Sequence, residues 1–75
     1  MPRRRDRLQA ALGLRLRQLR EERDWTQEVF AEKADIDRSY VAGIEAGLRN
    51  PSFKLLAKMA AGLGMTVSDF LKTVR

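Results

Sequence analysis

Apolar residues recur at the spacing of an α-helix along most of this 75-residue chain, and polar or glycine-containing breaks separate the periodic stretches. In the first stretch, from about Leu8 to Arg23, arginines fall between the leucines, which predicts an amphipathic first helix. Gly13 inside this helix costs about 1 kcal/mol relative to Ala, so it indicates either close packing or a weak first turn. A helix lying on a membrane surface is the alternative, but Glu21 and Glu22 would be repelled by anionic lipid. The leucines at helical spacing are Leu8, Leu12, Leu16 and Leu19.

The stretch from Thr26 to Gly47 has the pattern of two short helices joined by a tight turn. Thr26 is a good N-cap for a helix that begins at Gln27, because its hydroxyl can accept from free backbone N–H groups. Asp35 tolerates the left-handed conformation that a sharp reversal needs. Asp37 can then cap a second helix, which runs to about residue 46 and stops at Gly47. We therefore expect two helices that cross at a steep angle.

Two more helices are predicted after this pair. Pro51 prevents an early start, and Ser52 can cap a fourth helix that carries apolar residues at helical spacing. Gly62 and Gly64 mark its end. A capping-box-like pattern at Thr66 then begins a fifth helix that ends near residue 74. The pattern as a whole predicts an all-α fold, a compact bundle of five helices.

The central helix pair carries a sequence motif that extends into the following loop. It runs Gln27-x-x-x-Ala31, the turn, Asp37-Arg-Ser-Tyr-Val-Ala-Gly-Ile-Glu45-x-Gly47, and Arg49-Asn-Pro-Ser52. This motif resembles the helix-turn-helix of the lambda-repressor/Cro-like (Xre) regulators, over roughly residues 12 to 71. Within that family, its segments DRSYVAGIE and RNPS look most similar to the controller proteins of restriction–modification systems, and many phage and bacterial regulators share them.

The resemblance implies a bundle of the lambda-repressor-like DNA-binding type for residues 8–75, with the helix-turn-helix at about 26–47. It also implies an ion pair between Arg20 and Glu45, which would tie the first helix to the end of the third. The chain departs mildly from the family at Asp24, where a Gly is usual, since Asp also tolerates positive φ.

Charge and composition narrow the class of function. The net charge of +5 and the pI near 10.5 favour a polyanionic partner, and double-stranded DNA is the partner expected. The chain has no Cys and no His, so it lacks thiolate nucleophiles, the usual zinc ligands and the commonest general base. We therefore expect no enzyme, no catalytic residue, no metal and no cofactor.

The length of the apolar runs bears on localisation. None approaches the roughly 18 residues that a membrane-spanning helix requires, and the N-terminus lacks the apolar core of a signal peptide. The expected localisation is cytoplasmic, with no membrane partner. The chain also ends where the DNA-binding bundle ends, so we expect a stand-alone module without a small-molecule ligand.

The first residues, MPRRRDR, predict a flexible basic N-terminal arm over residues 1–7. In the functional interpretation Arg3, Arg4 and Arg5 reach phosphates or a minor groove. In the alternative they belong to a frayed, solvated terminus.

The third helix, about residues 38–46, is the predicted recognition helix in the major groove. Groove-entering helices read bases from their first turns, so the base-reading positions are Arg38, Ser39, and Ala42 or Gly43. Arg38 is the strongest candidate, because a guanidinium can pair bidentately with O6 and N7 of guanine. Gly43 offers no side chain, which permits close approach and leaves part of the specificity to DNA shape.

A second group of residues is predicted to contact phosphates. These contacts set the register of the protein on DNA without reading sequence. Ser52 belongs to this group because it caps the start of a helix beside an arginine, where free N–H groups favour an anion; an ordinary surface loop is the alternative. The predicted phosphate contacts are Gln27, Tyr40, Arg49, Asn50 and Ser52.

The C-terminal region holds more apolar surface than one short helix hides, and such patches often mark a subunit interface. The predicted dimer interface comprises Met65, Val67, Leu71 and Val74; alternatively, these residues complete a monomeric core. We therefore expect a sequence-specific transcriptional regulator that acts as a homodimer on an inverted-repeat operator. The alternative is an antitoxin or adaptor in which the same fold grips a protein partner.

Overall fold

The computed structural model describes residues 4–75, which form five helices and no strand. The all-α, five-helix architecture predicted from the sequence is confirmed. Within the described range, no helix combines the length and the apolar character needed to cross a bilayer. The helices are α1 (Arg4–Glu22), α2 (Gln27–Ala34), α3 (Arg38–Glu45), α4 (Phe53–Leu63) and α5 (Val67–Phe70).

Helix α1 begins earlier than predicted, at Arg4 instead of Leu8. The predicted start was therefore wrong, because the helix extends about one turn beyond Leu8, its first leucine. Arginine is a good helix former, and no Gly or Pro interrupts the chain between Arg4 and Leu12. Arg4 and Arg5 of the predicted arm thus belong to α1, whereas Arg3 lies outside the described residues.

Three of the helices begin at the hydroxyl caps that the sequence predicts. The side chain of Thr26 accepts from the backbone N–H of Val29 at 3.1 Å, and that of Ser52 accepts from Leu55 at 3.2 Å. The Thr66 hydroxyl accepts from a backbone N–H of α5 at 3.0 Å. Each cap satisfies a donor that the first turn of a helix leaves free.

The turns of the chain also occur at the residues that the sequence predicts. Asp35 is left-handed, at φ 57° and ψ 50°, and ends α2. Gly47 takes a φ of 76°, and its N–H donates to the carbonyl of Ile44 at 3.0 Å. Leu48 donates to Gly43 at 2.9 Å, which completes a Schellman motif at the end of α3. The reversals therefore form where residues that tolerate positive φ occur.

Two predicted details are wrong. Asp37 occupies the N-cap position of α3, but its carboxylate makes no cap hydrogen bond and instead accepts from the Ser39 hydroxyl at 2.8 Å. Gly62 lies inside α4 instead of marking its end, which falls at Gly64. A Cβ at Gly62 would come within 2.9 Å of the Cα of Ala34, so this glycine permits α2 and α4 to approach closely.

The core lies where the helices cross. Helix α1 packs against α3, α2 packs against both α3 and α4, and α4 packs against α5. Every helix contributes to one continuous buried cluster, so the small domain has a single core. Its residues are Leu12, Leu16, Leu19, Phe30, Ala31, Ala34, Val41, Ile44, Met59, Ala60, Leu63 and Phe70.

Gly13 marks the closest approach of α1 to α3. A methyl group at Gly13 would overlap the carbonyl oxygen of Ile44 and come within 2.7 Å of that of Glu45. Of the two explanations for this glycine, the structure shows close packing. The C-terminal end of α3 therefore rests directly on the backbone of α1.

Candidate nucleic-acid interface

A nearly buried ion pair holds α3 in place. Arg20 donates from Nε to Oε2 of Glu45 at 2.7 Å and from Nη2 to Oε1 at 2.9 Å. The exposed side-chain fractions are only 12% for Arg20 and 5% for Glu45. This is the pair that the family resemblance implies. The hydrogen bond to Glu45 raises the pKa of Arg20 against the opposing effect of burial, so the guanidinium stays charged.

The same pair also engages the start of α2. Nη1 of Arg20 donates to the carbonyl oxygen of Trp25 at 2.7 Å. Gln27, predicted to contact phosphate, donates from Nε2 to Oε1 of Glu45 at 3.1 Å. Its side chain thus links α2 to α3. The network joins α1, α2 and α3 at one point, with four directed hydrogen bonds.

The predicted base-reading residues lie on the outer face of α3. Val41 and Ile44 are fully buried on its inner face, whereas Arg38 and Ser39 are exposed at its first turn. Ala42 and Gly43 are partly exposed on the next turn. The helix therefore presents two polar side chains at its N-terminal end, the end from which groove-entering helices read bases.

Arg38 is not a free cation in this structure. Its Nε donates to Oε1 of Glu28 on α2 at 3.1 Å, and both side chains are more than half exposed. No pattern in the sequence marks Glu28 as a functional residue. The two residues are 10 positions apart and belong to different helices, so only the crossing of α2 and α3 brings them together.

Arg49 lies across the second turn of α3. Its guanidinium carbon stands 5.5 Å from the centroid of the Tyr40 ring, within cation–π range. A Cβ at Gly43 would come within 2.8 Å of Cγ of Arg49, so the glycine provides the space that the arginine side chain occupies. Gly43 is therefore covered by Arg49, and it is not the open backbone position that the sequence predicted.

The remaining predicted phosphate contacts follow α3. Asn50 and Ser52 are both exposed at the start of α4. The Ser52 oxygen accepts from the backbone as an N-cap, and its hydroxyl proton is available to donate. Tyr40 and Arg49 lie at α3, whereas Asn50 lines an apolar pocket together with residues of α1 and the C-terminal segment.

The predicted dimer residues divide into two groups. All four pack partly buried against the core. Leu71 and Val74 line an apolar pocket of about 250 Å³ together with Leu8 of α1, whereas Met65 and Val67 are not among its lining residues. The other lining residues are Gln9, Leu12, Asn50, Pro51 and Leu56.

Arg15 has a positioning role that the sequence did not reveal. Its Nε donates to the carbonyl oxygen of Phe70 at 2.9 Å, and its Nη2 donates to that of Asp69 at 2.8 Å. These bonds tie the end of α5 to α1. The hydrophobic pattern placed Arg15 on the polar side of α1, and nothing in that pattern indicates which distant carbonyls it binds.

Comparison with known proteins agrees with this geometry. A family model described as helix-turn-helix matches residues 16–70. The control protein C.MunI of Mycoplasma sp is 44% identical over 63 residues, which cover 83% of this chain and 85% of that protein. Several other curated relatives are longer, and this chain spans between 40% and 60% of their length.

Solved structures show the same similarity. The restriction–modification controller protein C.AhdI from Aeromonas hydrophila is 37% identical, with a TM-score of 0.80 over 83% of this chain and 94% of that one. The controller protein C.Esp1396I, solved as a tetramer with its natural 35 base-pair operator, is 31% identical, with a TM-score of 0.82 over 89% of this chain and 88% of its own. These relatives are regulators and not enzymes. The chain belongs to the helix-turn-helix family of transcriptional regulators, the family that its sequence motif resembles.

Proposed function

We propose that this protein is a restriction–modification controller or a closely similar regulator, which binds an inverted-repeat operator in double-stranded DNA as a homodimer. Helix α3 enters the major groove, and the protein acts in the cytoplasm, where its operator DNA is found. Support comes from C.MunI and C.AhdI, both named as control proteins, and from the operator complex of C.Esp1396I.

The observation that carries the proposal is the pair between Arg20 and Glu45. It anchors the C-terminal end of α3 to α1, while the N-terminal end stays exposed with Arg38 and Ser39. A helix anchored in this way presents its readers without further ordering, which lowers the entropic cost of binding. The positive net charge adds attraction to phosphates.

The proposed functional residues divide into four groups. Arg38 reads a guanine through its terminal nitrogens, with Ser39 and Ala42 beside it along the same face. A second group contacts phosphates, and these contacts set the register of the protein on DNA. This group consists of Arg49, Tyr40, Asn50, Ser52 and Gln27. The dimer interface includes Leu71 and Val74, together with Met65 and Val67. Further phosphate or minor-groove contacts come from Arg3, Arg4 and Arg5.

Selection of DNA sites from a random duplex library tests the proposal. A two-fold dimer should select an inverted repeat with half-site centres about one helical turn apart, roughly 34 Å or 10 base pairs. Two protomers should bind per selected duplex, as measured by sedimentation or native mass spectrometry. Arg38→Ala serves as the control, because it should weaken the selection without abolishing DNA binding.

A single asymmetric half-site with one protomer bound would overturn the dimer. No enrichment of any sequence would overturn the regulator and favour the protein-interaction module. DNA from immediately upstream of the protein's own gene should also shift in an electrophoretic assay, since transcriptional regulators of this family commonly bind there.

A further inference from the structure

Glu28 is an acidic residue in direct contact with the proposed base-reading arginine. It is the second residue of α2, and its Oε1 accepts from Nε of Arg38 at 3.1 Å. The exposed fractions are 59% for Arg38 and 68% for Glu28, so the pair faces solvent. A carboxylate at a surface that approaches phosphates is repelled by them. The helix dipole favours a negative charge in the first turn of α2, so the observation that needs explaining is the hydrogen bond of Glu28 to Arg38.

The geometry of the pair indicates what this hydrogen bond does to the guanidinium of Arg38. A guanidinium carries five N–H donors, and guanine is recognised through two of them by its O6 and N7. The hydrogen bond to Glu28 uses Nε, which lies on the side edge of the guanidinium. Both terminal nitrogens of Arg38 remain available on the end-on edge. Glu28 thus restrains the arginine without occupying the donors that a guanine would need.

We infer that Glu28 is a positioning residue that sets the base selectivity of Arg38. It orients the guanidinium for end-on contact with guanine, and its charge reduces the attraction of that arginine to the phosphates of any other sequence. This inference rests on the proposed function, because it requires Arg38 to read a base.

The size of the effect follows from the exposure of the pair. Exposed ion pairs are weak, and their measured strength corresponds to about a two- to fivefold change in an equilibrium constant. Salt screens such pairs with a Debye length of about 10 Å at 0.1 M. The contribution of Glu28 should therefore be of this order for each half-site and should decrease as salt is added.

Two substitutions separate orientation from charge. Glu28→Gln retains an oxygen that accepts from Nε but removes the charge, whereas Glu28→Ala removes both. Glu21→Gln is the matched control, because Glu21 also pairs with an exposed arginine, Arg17, at 3.3 Å, but along α1. Each variant is titrated with the selected operator, with the operator changed at the base pair that depends on Arg38, and with random duplex, at several salt concentrations.

Glu28→Gln should strengthen binding to random duplex about two- to fivefold per protomer and keep the preference for the Arg38-dependent base pair. Glu28→Ala should strengthen random binding similarly and lose that preference about two- to fivefold per half-site. Glu21→Gln should leave the preference unchanged. A purely structural role for Glu28 would alter the melting temperature but not the base preference.

Equal factors on operator, changed operator and random duplex for both Glu28 variants would overturn the inference. Arg38→Ala, measured in the same series, tests the proposed function separately. If it relaxes the base preference while the Glu28 variants do not, the regulator stands and the role of Glu28 fails. If Arg38→Ala leaves the preference intact, the base-reading role of Arg38 fails as well.

Discussion

Arg20 of α1 and Glu45 of α3, separated by 25 positions in sequence, form a two-pronged ion pair with hydrogen bonds of 2.7 and 2.9 Å. Glu45 also accepts from Gln27, and Arg20 also donates to the Trp25 carbonyl. If one member is removed, the other therefore keeps a neutral hydrogen-bond partner but loses the opposite charge that it faces. Because it lies at the end of α3, it connects the stability of the domain to the placement of the proposed recognition helix.

Removing one member of this pair should be costly. Arg20→Met or Glu45→Leu should each lower the free energy of unfolding by about 3–5 kcal/mol, because a nearly buried charge is left without its partner. The double variant should lose less than the sum of the two. Denaturant unfolding of the three variants measures this, and strictly additive losses would contradict the coupling.

The exposed pair Arg17 and Glu21 provides the control for that cycle. Their side chains are 62% and 56% exposed, and they lie one turn apart on α1. Arg17→Met and Glu21→Leu should each change the stability by no more than about 0.5 kcal/mol, as expected for a helical surface pair.

Gly13→Ala should destabilise the protein, although alanine has a higher helix propensity than glycine. Alanine favours a helix by about 1 kcal/mol over glycine. The added methyl group would overlap backbone carbonyl oxygens of α3, and overpacking of this kind costs about 1–3 kcal/mol or more. We expect a net loss of about 1–2 kcal/mol in denaturant unfolding.

Gln18, exposed on the same helix, offers the comparison. Gln18→Ala should be more stable than Gln18→Gly by about 1 kcal/mol, since no contact opposes the propensity there. Both positions thus compare glycine with alanine in α1. If alanine were the more stabilising residue at position 13 as well as at position 18, the close approach of α1 and α3 would be wrong.

Arg38→Ala and Arg49→Ala should impair DNA binding in different ways. Arg38→Ala should weaken binding to the best site by about 1–3 kcal/mol and relax the preference at one base pair per half-site, because a bidentate contact discriminates by that amount. Arg49→Ala should weaken specific and non-specific DNA binding alike. The log–log salt slope should fall by about 0.9 for each phosphate that the arginine no longer neutralises, which is about 1.8 per dimer.

Titrations at several salt concentrations measure both effects. If Arg38→Ala weakened all sequences equally and Arg49→Ala changed the base preference, the two roles would have to be exchanged. That result would also mean that α3 does not enter the groove as proposed.

Gly43→Ala should reduce DNA binding while it stabilises the fold. The new Cβ would stand 2.8 Å from Cγ of Arg49, so the arginine must leave its place over the Tyr40 ring. The helix itself gains up to about 1 kcal/mol from the substitution. In an Arg49→Ala background, Gly43→Ala should no longer affect DNA affinity, and an undiminished effect in that background would contradict the proposed coupling of the two residues.

Val74→Glu should dissociate the dimer without unfolding the monomer. Val74 is partly buried and lines the apolar pocket, where a carboxylate would be desolvated by a partner subunit. Thr73→Glu is the control at an exposed neighbouring position. Sedimentation equilibrium should show a monomer for Val74→Glu alone; a large loss of stability with an unchanged dimer would instead place Val74 in the monomer core.

The sequence by itself determined the helices and most of their ends. The caps at Thr26, Ser52 and Thr66 and the reversals at Asp35 and Gly64 depend on atoms only a few residues apart, so local chemistry is sufficient. The buried apolar face of each helix likewise follows from its period. The prediction that Arg20 pairs with Glu45 came from a family resemblance and not from any local pattern.

Only the tertiary structure decided which distant residues meet. Glu28 reaches Arg38, Arg15 reaches the carbonyls of α5, and Arg49 fills the space above Gly43 because helices cross at particular angles. The period of a helix tells which side a residue occupies, but the neighbour on that side depends on how the helices pack. For the same reason, the sequence left Gly13 with two explanations, and the contact of α1 with the carbonyls of α3 selected one of them.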